Sequence, residues 1–132
     1  MQGVQKHVRR SQTIQNLISA LVFNNTTTTD NSVQVDTDNE ENFTLYLDID
    51  STLTPTDIQF IPQFSNDNGT TWFDYKQDQF VALFYEDVNT ASGLTECLSG
   101  KCVGRDFRLR TVATGTDATN FFTVSVDVEF WS

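Results

Sequence analysis

The sequence predicts an all-β chain: a two-sheet antiparallel sandwich of about eight strands, jelly-roll in type. Three observations predict it. The composition holds 11 Phe with many Thr and Val and only two Pro, and aromatic and β-branched side chains suit a pleated, half-buried surface. Phe43 to Asp50 alternates strictly, with Phe43, Leu45, Leu47 and Ile49 on one side and Thr44, Tyr46, Asp48 and Asp50 on the other. Asn120 to Trp131 does the same, with Phe122, Val124, Val126, Val128 and Phe130 inward and Thr123, Ser125, Asp127 and Glu129 outward. Period 2 is the mark of a strand with one wet face, and antiparallel sheets of that kind bury their dry faces against each other.

The elements follow in order. Residues 1–13 are a basic N-terminal arm, and residues 14–132 form the sandwich domain. Leu17 to Phe23 reads as the first strand, although Ile14, Leu17, Ile18, Leu21 and Val22 also match helical spacing; β-branched content and the Thr- and Asn-rich tract after it favour the strand. Ser32 to Asp36 is a short second strand, and Asp36 to Asn42 an acidic turn. After Phe43 to Asp50 comes Ile58 to Phe64, with Ile58, Phe60, Pro62 and Phe64 on one side. Pro62 cannot donate to a ladder, so this strand lies at an edge or bulges there. Trp72 to Tyr75 and Phe80 to Glu86 are further strands, and residues 87–104 a long loop. Asp106 to Thr114 leads through Gly115-Thr116-Asp117-Ala118 into the last strand. As a hairpin, these two would set Arg108 and Arg110 across from Asp127 and Glu129.

Between the strands, Ser65-Asn66-Asp67-Asn68-Gly69-Thr70-Thr71-Trp72 fits Ser-x-Asp-x-Gly-x-Thr-Trp at every specified position. This resembles the Asp-box, a β-hairpin turn of sialidase propellers that also occurs singly in other β folds. The resemblance implies a structural turn built by Ser65, Asp67, Gly69, Thr71 and Trp72. The local chemistry agrees: Asp and Asn bond backbone N–H groups two residues on, and Gly supplies positive φ. With no second copy of the box, a multi-bladed propeller is excluded.

Charge is divided unequally. Residues 1–10 hold Lys6, Arg9 and Arg10 without an acid, while the rest carries 5 basic and 18 acidic side chains, for a net charge of −10. An acidic body disfavours nucleic acid, whose phosphates need a basic face. A run of ~20 apolar residues, needed to span a membrane as a helix, does not occur. The arm lacks a following apolar stretch, so a secretory signal is not expected. The four Asn-x-Thr triplets, at Asn24, Asn25, Asn42 and Asn68, read as turn chemistry.

Catalytic signatures are weak. The single histidine, His7, lies in the arm, a poor place for the buried pairing of a nucleophilic site. Asp48 and Asp50 share a strand face but read as a solvated strand end. The segments from Asp48 and from Asp36 start like calcium loops, but lack Gly at the sixth position and Glu at the twelfth. Cys97 and Cys102 bracket Leu98-Ser99-Gly100-Lys101 and either close a small disulfide ring or remain free thiols; two thiols alone do not make a structural zinc site. Trp72, Phe73, Tyr75, Tyr85 and Trp131 offer a sugar-stacking platform or, by their alternation, core packing, which is preferred. Neither cofactor nor metal is expected.

The order of features extends the resemblance. Leu45-Tyr46-Leu47-Asp48-Ile49, the run from Ile58 through the box to Asp74, Gly104-Arg105-Asp106-Phe107-Arg108-Leu109-Arg110 and Phe122-Thr123-Val124-Ser125-Val126 together resemble small β-sandwich structural proteins of tailed phages, of the capsid decoration or cement type. The resemblance implies a non-enzymatic virion protein on the capsid exterior, made in the host cytoplasm, whose partner is the major capsid protein and which assembles as a trimer. The insertion with Cys97 and Cys102 and the basic arm depart from that pattern. From the charge split, the expected capsid contacts are Lys6, Arg9 and Arg10 of the arm with Ile14 and Leu17 beside it. The alternative is a carbohydrate- or receptor-binding sandwich of a head or tail fibre.

Overall fold

A computed structural model describes residues 14–52, 55, 57–76 and 94–132. These build nine strands: β1 Gln15–Phe23, β2 Thr29–Asn31, β3 Val35–Asp36, β4 Asn42–Thr52, β5 Asp57–Ser65, β6 Phe73–Asp74, β7 Leu94–Lys101, β8 Asp106–Thr114 and β9 Phe121–Trp131. A front sheet has the order β1-β9-β4-β7; a back sheet runs β2-β8-β5-β6, with β3 also pairing β8. All pairings are antiparallel. If the interrupted β2 and β3 count as one strand, the sheets read 1-8-3-6 and 2-7-4-5, the connectivity of a jelly roll. The described residues contain no helix.

The core lies between the sheets. The inward residues of β4, β5 and β9 anticipated from alternation are buried, and β8 adds Phe107, Leu109 and Ala113. One end is aromatic: Phe43, Phe64, Tyr75, Phe107 and Phe130 contact one another with ring centroids 5.3–5.7 Å apart and tilted or edge-on planes. Such pairs contribute ~0.5–1.5 kcal/mol each beyond area burial. On β7, Gly100 faces this cluster. A Cβ there would come within 2.9 Å of the Phe43 ring and the Tyr75 hydroxyl, so the strand can lie this close only with glycine.

Pro62 sits where its missing donor is harmless. Its carbonyl accepts from the Tyr75 N–H at 2.8 Å. On that side, among the described residues, β5 pairs only with the two-residue β6, through Gln63 and Phe64.

Two expectations need correction. Residues 94–101 are not loop but strand β7, paired with β4 from Asn42↔Lys101 to Ile49↔Leu94. β8 and β9 do not form a hairpin: they belong to different sheets. Arg108 and Arg110 therefore do not face Asp127 and Glu129, because the chain crosses the sandwich at Gly115 (φ 76°) and the turn after it. The arm and the strand expected at Phe80 to Glu86 lie outside the described residues.

Candidate interaction surfaces

The arm joins the molecule at β1, an edge strand of the front sheet. Ile14 is 52% exposed there, and Val22 is partly exposed on the outer face. Leu17 is different. It is 7% exposed and belongs to the core, so its side chain is not available to a partner, which corrects its assignment as a contact. Bulges cause this. Leu17 is an extra residue between the pairs Asn16↔Asp127 and Ile18↔Val126, and a second irregularity falls before Leu21↔Val124. Each bulge inserts a residue and bends the strand. Ala20 adopts φ 47°, and its N–H is satisfied by Ser125 Oγ at 2.9 Å. Two bulges turn a period of two into the near-helical spacing seen in the sequence.

The outer face of the front sheet is acidic and polar. Tyr46 donates to Glu129 Oε1 at 2.8 Å, Trp131 Nε1 donates to Thr44 Oγ1 at 2.9 Å, and Thr44 and Ser99 share a 2.9 Å hydroxyl contact. Asp48 and Asp50 are exposed, and Asn16 donates to Asp127 at 2.9 Å. Tyr46, Asp48, Thr95, Cys97, Ser125 and Asp127 border an open depression of about 410 Å³. No group of three metal-ligating side chains occurs among the described residues.

Cys97 and Cys102 are free thiols. Cys97 is exposed on the outer face of β7, whereas Cys102 packs against the core. In an extended strand each residue advances ~3.3 Å, so five steps separate the pair far beyond the ~7 Å Cα limit for a disulfide. Of the two alternatives the sequence left open, the small ring is excluded by β7 being a strand, and the free thiols stand. Burial, then Glu40, pushes the Cys102 thiol up to about 12.

The Ser65 to Trp72 segment is the turn between β5 and β6. Ser65 Oγ donates to Asp67 Oδ1 at 2.7 Å and accepts from the N–H groups of Gly69 at 2.9 Å and Asp67 at 3.3 Å. Asp67 Oδ1 also accepts from the Thr71 N–H at 2.8 Å. The Thr71 N–H, then the Ser65 and Thr71 hydroxyls, lower the Asp67 carboxyl to about 2. Asn68 and Gly69 take φ 61° and 89°, and a Cβ on Gly69 would overlap the Gln34 side chain. The Ser65 hydroxyl and the Asp67 carboxylate thus bond within the turn, while Asn68 Oδ1 accepts from Gln34 Nε2 at 3.2 Å.

The outer face of the back sheet collects what the sequence reading did not foresee. Gln63 and Arg108 are cross-strand neighbours, as are Ile61 and Arg110. Arg108 Nε donates to Gln63 Oε1 at 2.7 Å, and Gln63 Nε2 donates to Asp74 Oδ1 at 2.7 Å. The Arg108 guanidinium lies 4.5 Å from the centroid of the Trp72 ring. The alternation of β8 held a signal for this surface, since Arg108 and Arg110 had to share the wet face. Trp72 could be brought to them only by the turn. Of the described members of the proposed aromatic platform, only Tyr75 is in the core. Phe73 is 59% exposed, which corrects its assignment to core packing; it lies on the two-residue β6, which among the described residues pairs with β5 alone. Tyr85 lies outside the described residues.

No protein-family model matches the chain, and the search of curated proteins found no similar sequence.

Proposed function

We propose that this chain is a structural protein of a tailed-phage virion: a decoration or cement protein that binds the outside of the capsid and stabilises the shell of major capsid protein. The observation that carries the reading is the junction of opposites at β1. A +3 arm enters an edge strand, beside exposed Ile14, on a body that is otherwise strongly acidic. An edge strand offers unpaired backbone for a partner, and a cationic segment steers it toward an acidic surface. The acidic body keeps free copies apart in solution. Three copies around a symmetry axis would each add a modest contact, and the linked contacts act together against internal pressure.

The site of action is then the capsid exterior, with no catalytic step. Deleting residues 1–12 tests the arm. Particle binding should be lost while the circular dichroism spectrum of the sandwich is unchanged; full retention of binding would remove the arm from the contact. A carbohydrate- or receptor-binding role comes second. Among the described aromatic residues, Phe73 is the exposed large one, and one ring does not form a stacking row.

A further inference from the structure

We propose that Arg108 and Arg110, with Trp72, form a docking site on the back sheet for carboxylates presented by a partner protein. The first argument is the state of the two arginines. In a chain with 18 acidic side chains and a net charge of −10, neither is in an ion pair with any described acid. Among the described residues Arg108 bonds only through Nε, which leaves its two terminal amino groups as an open fork. A guanidinium fork matches the two oxygens of a carboxylate.

The second argument is preorganisation. Gln63, 6% exposed, holds Nε from the neighbouring strand and is itself fixed by Asp74. Trp72 covers one face of the guanidinium. The side chain is ordered before any ligand arrives, so less rotamer freedom is lost on binding. Arg110 stands two residues along the same face, roughly 7 Å away in an extended strand, and adds a second positive charge.

The third argument selects a protein over a glycan. The surroundings are half-buried Ile61 and Val112, with Gln59. Arginine, tryptophan and aliphatic groups are the composition of a protein-interface centre, and the neighbouring carboxylate, Asp74, is engaged by Gln63. The surface is the face of a sheet rather than a cleft, and the Trp72 face over which Arg108 lies is closed to a sugar ring. The inference rests on the proposed function only for the identity of the partner, an acidic patch of the capsid shell.

Titration of the full-length protein tests it without any capsid. The probe is a peptide of alternating Glu and Gly; controls are the Gln-Gly peptide and an oligoglucuronate. NMR follows the Arg108 Nε–H and Trp72 Nε1–H signals. The Glu-Gly peptide should shift both saturably at millimolar concentration, and the controls should not. Arg108→Lys, which keeps charge but loses the fork, should weaken binding about tenfold or more, on the scale of an interface anchor. Arg110 makes no side-chain hydrogen bond or ion pair among the described residues, so Arg110→Gln should weaken binding several-fold with an unchanged backbone spectrum. Absence of a saturable shift, equal binding by Arg108→Lys, or an equal response to the oligoglucuronate would overturn the proposal. Because the arm deletion is read on particles and this titration is not, either idea can fail alone.

Discussion

Asp67 and Asp117 each close a turn by drawing backbone N–H groups onto one carboxylate. For Asp117 the donors are the N–H groups of Asn120 and Thr119, at 2.7 and 2.8 Å, with the Asn120 side chain behind them. Both carboxyls are held at about 2, below the ordinary 3.8. A carboxyl depressed in the fold adds stability above its unfolded value, and that contribution is lost as pH falls through the folded value. Both turns should therefore weaken between about pH 4 and pH 2. Carbon-detected titration should give midpoints near 2 for both residues; midpoints near 3.8 would contradict the turn geometry. The cysteines give a second residue-scale prediction. With Cys97 exposed and Cys102 packed against the core and pushed up to about 12, a thiol reagent on the native protein should modify Cys97 quickly and Cys102 only on unfolding, because the thiolate is the nucleophile. Intact mass should show one rapid adduct; two equally rapid adducts would contradict the packing. The Asp67 turn was legible because its side chains bond within a few residues. The fate of the cysteines was not, since it depends on β7 pairing with β4 across some fifty residues.

At the scale of elements, alternation carried the most information. β4, β5, β8 and β9 follow it, and their inward faces match the core. β1 obscured its nature because two bulges break the period. β7 escaped notice because its core face is formed by Leu94, Glu96, Leu98 and Gly100, a weak apolar signal supplied with partners only by β4. The β8–β9 connection misled because adjacent strands with a short turn usually pair, whereas a jelly roll sends them to opposite sheets. The bulge in β1 makes a sharp prediction. Leu17→Ala should cost about 2–5 kcal/mol, as a core truncation, while Ile14→Ala should stay within ~0.5 kcal/mol, as an exposed change. Chemical denaturation measures both. Equal, small effects would return Leu17 to the surface.

At the scale of the whole molecule, the jelly roll separates three surfaces. The front sheet presents carboxylates, the back sheet presents two arginines with no ion pair to a described acid, and the basic arm precedes the β1 edge in sequence. The back-sheet constellation was only half legible: spacing set Arg108 and Arg110 on one face, but Trp72 and Asp74 arrive through the turn and β6. Fold alone does not specify function, so the proposed virion role stands on the arm, the edge and the charge division together. The measurement that tests it most directly is mass spectrometry with cryo-electron microscopy of particles from a lysate producing this chain. The account predicts stoichiometric, icosahedrally ordered density on the capsid exterior, with residues 1–12 reaching the shell. Density confined to the tail or fibres, or protein recovered only free of particles, would contradict it.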